Sequence, residues 1–64
     1  MYIDTEKYKD RLKQRGLTVN YLIEKTGVSR ATFYKFVKGE VKTTPEFITL
    51  LCKELVCPIN YIKK

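Results

Sequence analysis

The stretch LTVNYLIEKTGVSRATFYKFVKG, residues 17–39, predicts two short helices joined by one tight turn. Thr18 can cap the first helix, because its hydroxyl accepts hydrogen bonds from free backbone N–H groups. Gly27 suits the turn, since glycine adopts a positive φ without steric cost. Ser29 can cap the second helix, and Gly39 can end it. This order of elements is the helix-turn-helix pattern.

The second helix of this pattern, about residues 29–38, has a basic outer side. At about 100° per residue, Phe33, Phe36 and Val37 fall on one side and predict a core stripe. The opposite side holds three cations, a phenol and a methyl group, with no acid: Arg30, Ala31, Tyr34, Lys35 and Lys38. In a DNA major groove, Arg and Lys reach guanine O6 and N7, and apolar groups meet the thymine methyl. The pattern favours a DNA-reading helix over an ordinary solvated helix face.

Four segments match the pattern of a known family: LKQRGLT at 12–18, EKTGVS at 24–29, KG at 38–39 and LLCKELVCPINYI at 50–62. On these segments the chain resembles the lambda-repressor-like (Cro/CI-type) family of phage and bacterial DNA-binding proteins, from about Leu12 through Ile62. Two positions depart from the family's pattern. Val19 stands where the family often has a Gln that touches phosphate and braces a base-reading side chain. Ile23 stands where the family prefers Ala at the crossing of the two motif helices.

The remaining sequence predicts three more short helices, which gives an all-α, compact five-helix lambda-repressor-like bundle without strands. The first helix should begin near Asp4 or Thr5 and end before Gly16. In the segment TPE at 44–46, Thr44 can cap the fourth helix, Pro45 suits its first position and Glu46 interacts favourably with the helix dipole. Apolar residues at i, i+3, i+4 and i+7 predict the core stripe of that helix: Ile48, Leu51, Cys52 and Leu55. A last short helix covers about residues 58–62.

Charge and composition restrict the class of protein. A formal net charge of +6 favours a polyanionic partner. The length predicts a single helix-turn-helix domain over residues 1–64, and a hydrophobic content of 44% is typical of a small globular domain. There is no run of about 18 apolar residues to span a membrane. The charged N-terminal segment MYIDTEKYKD lacks the apolar stretch of a secretory signal, so a cytoplasmic protein is expected.

Enzymatic chemistry has no visible basis in the sequence. The chain contains no histidine, the commonest general base, and no glycine-rich phosphate loop. Cys52 and Cys57 are too few for a zinc site and are expected to be free, buried hydrophobic residues. We therefore expect no enzyme, no metal and no cofactor, and no small-molecule ligand is evident from the sequence.

The expected function is sequence-specific binding to double-stranded DNA by a transcriptional regulator, most simply a repressor that acts by operator occupancy. Arg30 is the foremost candidate for a base contact, through a bidentate pair with guanine. The expected base contacts are Arg30, Ala31, Tyr34 and Lys35. The expected backbone contacts, which set register without reading sequence, are Thr18, Asn20, Ser29, Lys38 and Lys42.

Spare apolar residues near the C-terminus leave two interpretations open. Phe47 and Leu50 lie off the core stripe of the fourth helix, where they either wrap the core or contact a second subunit. Because the resembled family binds operators as dimers, the resemblance implies a homodimer, at least on DNA. The expected dimer contacts are Phe47, Leu50, Ile59, Tyr61 and Ile62. The alternative function is a non-enzymatic protein-interaction module on the same fold, of antitoxin or anti-repressor type.

Overall fold

Five α-helices form most of the chain in the computed structural model, which describes residues 1–64. The helices are α1 (Thr5–Arg15), α2 (Val19–Thr26), α3 (Arg30–Val37), α4 (Pro45–Leu55) and α5 (Ile59–Ile62). Outside the helices, one isolated antiparallel bridge pairs Ile3 with Lys63. The predicted all-α, five-helix fold is confirmed. No helix combines the length and the apolar character that crossing a membrane requires.

The first turns of α1 to α4 are each capped by the side chain that precedes the helix. The capping residues are Asp4, Thr18, Ser29 and Thr44. In each, a side-chain oxygen accepts a hydrogen bond of 3.1–3.3 Å from the backbone N–H three residues further along the chain. Each bond satisfies an N–H group that the first helical turn leaves free. The caps predicted from the sequence at Thr18, Ser29 and Thr44 are confirmed.

Two glycines occupy positions that other residues would strain. Gly27 has a φ of 72° and donates its N–H to the Ile23 carbonyl at 3.0 Å, which ends α2. Gly39 has a φ of 78°, and a Cβ at this position would lie 2.5 Å from the carbonyl oxygen of Ile3. The N-terminal segment can therefore pass directly against the end of α3.

Aromatic rings join three helices at the centre of the core. Phe33 of α3 is fully buried, and its ring centroid lies 6.2 Å from that of Tyr8 in α1 and 5.8 Å from that of Phe47 in α4. Phe36 packs against Phe47 with a centroid separation of 4.7 Å. Aromatic pairs of this kind contribute about 0.5–1.5 kcal/mol each beyond the area that they bury. The buried side of α3 is the one that its apolar pattern predicts.

Two residues that the sequence assigns to a dimer contact belong to this core instead. Phe47 is 2% exposed and Ile62 is completely buried, so neither side chain is available to a second subunit. The assignment of Phe47 is wrong because α4 packs against α1, α2 and α5 and is therefore buried on more than one stripe. Ile62 is covered because the two chain ends lie together.

The chain ends are held by backbone hydrogen bonds. The Asp4 N–H donates to the Ile62 carbonyl at 2.7 Å, and the Lys64 N–H donates to the Tyr2 carbonyl at 2.8 Å. On the other side of the N-terminal segment, Thr43 donates both its N–H and its hydroxyl to the Met1 carbonyl. Ile3 is completely buried between these contacts. Ile3 was not among the core residues predicted from the sequence.

Arg11 of α1 caps the C-terminal end of α4. Its Nε donates to the Leu55 carbonyl at 2.9 Å, and its Nη2 donates to the Val56 carbonyl. Val56 has a φ of 53°, a left-handed conformation that is costly for a β-branched residue. The guanidinium satisfies carbonyls that the helix end leaves free and puts a positive charge at its negative end. Arg11 therefore offsets part of the strain at Val56.

We predict that Ile3→Ala lowers the free energy of unfolding by about 2–4 kcal/mol, because it removes a fully buried side chain and leaves a cavity. Urea unfolding followed by circular dichroism measures the loss. Tyr2→Ala is the matched control, since the Tyr2 side chain is 45% exposed and its backbone bond is kept. Equal losses in the two variants would show that the Ile3 side chain does not anchor the chain ends.

We predict that Tyr8→Phe makes the protein more resistant to alkaline pH. Burial raises the pKa of Tyr8 to about 12, from an ordinary value of about 10, and its hydroxyl has no hydrogen-bond partner. The folded state thus holds this proton more tightly than the unfolded state, so stability is lost as the pH rises from about 10 to 12. Urea unfolding at pH 8 and pH 11 should show a smaller loss in Tyr8→Phe than in the wild type. Tyr2→Phe is the control and should behave like the wild type. If Tyr8→Phe loses as much stability between pH 8 and pH 11 as the wild type does, the prediction is contradicted.

Candidate nucleic-acid interface

A three-residue turn fixes how α3 follows α2. Gly27, Val28 and Ser29 connect the two helices, and Val28 is partly buried against the core. The buried hydroxyl of Thr26 donates to the Leu22 carbonyl at 2.8 Å, so this polar group is satisfied inside α2. The turn is therefore tied to the core at one residue and closed by the glycine, as the helix-turn-helix pattern requires.

The two sides of α3 differ sharply in exposure. Phe33, Phe36 and Val37 are buried. The other side of the helix, which we call the basic side, is exposed along its length and consists of Arg30, Ala31, Tyr34, Lys35 and Lys38. These five residues are the ones that the sequence assigns to the outer side. Two turns of helix therefore present three cations and a phenol to solvent.

Arg30, the first residue of α3, is held by the start of α2. Its Nη2 donates to Oδ1 of Asn20, the second residue of α2. A guanidinium has five N–H donors in a planar fork, so this bond leaves donors free for another partner. Because the acceptor is a neutral amide, the positive charge of Arg30 is not cancelled. The pair orients a charged, exposed side chain at the start of the basic side.

The Asn20–Arg30 pair lies next to Val19, the position where the family often has Gln. Val19 is partly buried and packs against the core, so it does not take the role of the family's Gln. Asn20, one position later, instead contacts the first residue of α3. Asn20 and Arg30 were both predicted from the sequence as DNA contacts, but the bond between them was not predicted. The available signal was two polar side chains, each in the first turn of a motif helix.

The other predicted backbone contacts lie at helix starts or in a loop. Thr18 and Ser29 are exposed and cap α2 and α3. The Ser29 hydroxyl also donates to Oγ1 of Thr32 at 2.9 Å. Lys38 ends the basic side, and Lys42 is exposed in the loop between α3 and α4. The starts of α2 and α3 are thus brought together, whereas Lys42 belongs to a separate segment.

The predicted dimer residues divide into two groups. Leu50 and Ile59 are each 38% exposed, and Tyr61 is half-buried, so part of the predicted surface is accessible. Phe47 and Ile62 are buried and therefore not accessible. Val56, at 56% exposed, is a further apolar surface residue and was not among the predicted dimer contacts.

The cysteines and acids form no metal-binding cluster. No three or more His, Cys, Asp or Glu side chains lie close enough together to hold a metal ion. Cys52 is buried and Cys57 partly buried, and both are free. Burial, together with the neighbouring Cys57, raises the pKa of the Cys52 thiol to about 12, so it stays protonated and unreactive near neutral pH.

Comparison with known families gives one result that covers most of the chain. The model of the Cro/C1-type HTH DNA-binding domain matches residues 9–60, from within α1 to within α5. Comparisons with curated proteins and with solved structures gave no match.

Proposed function

Because the chain belongs to the Cro/C1-type helix-turn-helix family of DNA-binding domains, we propose that it represses transcription by occupying a specific operator with α3 in the major groove. The observation that carries the proposal is the basic side of α3, which is exposed, contains no acid and begins with an arginine oriented by Asn20. We take residues 1–64 as one DNA-binding unit.

Base reading falls to the four residues nearest the start and middle of α3. Arg30 makes a bidentate pair with guanine O6 and N7 through the donors that Asn20 leaves free. Ala31 packs its methyl group against a thymine methyl. Tyr34 and Lys35, one turn further on, read the next bases. Holding Arg30 before DNA arrives lowers the conformational entropy that the side chain loses on binding.

Phosphate contacts position the domain. Helix starts favour anions, and the starts of α2 and α3 lie together through the Asn20–Arg30 bond. The Thr18 hydroxyl accepts its capping bond and keeps its own hydrogen for a phosphate oxygen. The Ser29 hydroxyl hydrogen is already given to Thr32, so Ser29 contributes through its backbone N–H. Lys38 and Lys42 add positive charge at the edge of the interface.

A dimer provides a site long enough to be specific. One α3 spans about four or five base pairs, too few to be distinguished within a genome, so a second half-site is required. The residues available for the contact are Leu50, Ile59 and Tyr61, to which Val56 is added. The same exposed apolar residues favour the second candidate function, a protein-interaction module without DNA binding, and the next experiment separates the two.

We predict duplex binding whose affinity falls steeply with salt. After selection of bound sequences from random duplex DNA, the logarithm of affinity should fall linearly with the logarithm of salt concentration. The slope should correspond to about four to eight neutralised phosphates per dimer. Lys38→Ala should reduce that slope, while Lys53→Ala on α4 should leave it unchanged. If folded protein retains no duplex at about 50 mM salt, the DNA-binding proposal fails, and the protein-interaction module becomes the function to test.

We predict that Arg30→Ala costs about 1–3 kcal/mol in binding and relaxes preference at one base position, whereas Lys38→Ala weakens all sequences alike. Affinities for every single-base variant of the selected site measure both effects. Asn20→Ala should weaken the same base preference as Arg30→Ala, and the double variant should lose less than the sum of the two losses. A uniform loss across sequences for Arg30→Ala would make Arg30 a phosphate contact.

We predict two protomers on a near-palindromic site whose half-sites lie about 34 Å, or one helical turn, apart. Sedimentation should show mostly monomer at micromolar concentration, because the accessible apolar surface is small, and cooperative loading of two protomers on DNA. Leu50→Ser should lower the cooperativity and leave half-site affinity intact, and Thr49→Ala is the control. A one-to-one complex on an asymmetric site would contradict the dimer.

A further inference from the structure

A cavity of about 280 Å³ lies between α1, the start of α2 and the second turn of α3. Five of its eight lining residues are hydrophobic, among them Leu12 and Val19. Ligand pockets commonly measure about 300–1,000 Å³, and an apolar cavity of roughly 150 Å³ holds one benzene ring. The space therefore suits a compact molecule of about two rings.

The charged residues of the lining are both positive. Lys9 from α1 and Lys38 from the end of α3 contribute to the lining, and it includes no acid. An apolar molecule with one negative group can place its rings against Leu12 and Val19 and its charge beside the two ammonium groups. A cation would meet only like charge, and a neutral molecule would gain nothing from the lysines. Charge complementarity thus selects an anion with an apolar body.

Tyr8 is also part of this lining. Tyr8 is 4% exposed, yet its hydroxyl has no hydrogen-bond partner in the chain. Because the hydroxyl is sealed from solvent, Tyr8 adds apolar surface to the cavity and not a hydrogen-bond donor. A carboxylate carries the negative charge that Lys9 and Lys38 favour, and an aromatic body suits the apolar part of the lining.

The cavity shares residues with the basic side of α3. Tyr34 and Lys38 line it, and both are among the residues proposed to contact DNA. A molecule in the cavity must contact these side chains while DNA needs them free. Ligand and DNA therefore compete for them, a step that rests on the proposed function.

We propose that this cavity binds a small aromatic carboxylate and that its binding opposes binding of DNA. The ligand then acts as an effector that releases the operator.

Titration of ¹⁵N-labelled protein with sodium 1-naphthoate, without DNA, tests the cavity. NMR shifts should change saturably at Tyr8, Leu12 and Val19. Lys9→Gln should raise the dissociation constant about two- to five-fold, the usual effect of one exposed charge. Lys7→Gln, on α1 outside the lining, is the matched control and should leave the constant unchanged. The neutral 1-naphthylmethanol should bind more weakly than 1-naphthoate.

Absence of saturable shifts up to about 10 mM naphthoate, or shifts centred on other residues, would overturn the proposal. Equal affinity of Lys9→Gln and Lys7→Gln for naphthoate would also overturn the proposal. Leu12→Phe should reduce the cavity and abolish binding, with circular dichroism to establish that the variant is folded. If Leu12→Phe does not fold, the comparison of Lys9→Gln with Lys7→Gln decides whether the cavity is the binding site.

Competition with DNA tests the second half of the proposal. At ten times its dissociation constant, naphthoate should lower the affinity for the selected operator about 11-fold if binding is mutually exclusive. An equal ionic strength of sodium chloride is the control. Undiminished DNA binding with the cavity occupied would overturn the competition. If no duplex is bound at all, the proposed function fails, and the titration without DNA still decides whether the cavity takes a carboxylate.

Discussion

The burial of Phe33 is the contact on which the arrangement of α3 depends. An eight-residue helix is too short to be stable by itself in water, so tertiary packing must hold it. Phe33 supplies that packing by lying between Tyr8 of α1 and Phe47 of α4. Fixing this one side chain also fixes the rotation of the helix, because every other residue follows at about 100° per position. Arg30 and Tyr34 face solvent because Phe33 does not.

A chain of 64 residues sits near the lower limit for a stable core, and the structure shows how this one supplements its core. Both cysteines are free, so no disulfide contributes. The chain ends are instead joined by backbone bonds, with Ile3 and Ile62 completely buried beside them. Arg11 adds a link between α1 and the end of α4 across more than forty positions of sequence. These long-range contacts restrain segments that would otherwise fray.

Local signals predicted the helices well, whereas contacts between distant segments were not predictable. Thr18, Ser29 and Thr44 cap helices because a hydroxyl finds its N–H partner three residues away, within the same stretch of sequence. Ile3 and Arg11 give no such signal, since their partners are set by the tertiary fold. Phe47 was misassigned because the angular pattern describes one stripe, and a central helix is buried on several. The Asn20–Arg30 bond likewise depends on the angle at which α2 and α3 meet.

The size of the domain also ties recognition to packing. Helix α3 has only about two turns, so residues on its exposed and buried sides are immediate neighbours. Tyr34 illustrates this point: its ring packs edge-on against Phe33 with a centroid separation of 6.1 Å, and it is still 43% exposed. It also lines the cavity beside α1. A change in the core at Phe33 therefore alters the packing of a side chain on the basic side. In a larger domain, a layer of intervening residues would absorb such a change. In this domain, Phe33 and Tyr34 contact each other directly.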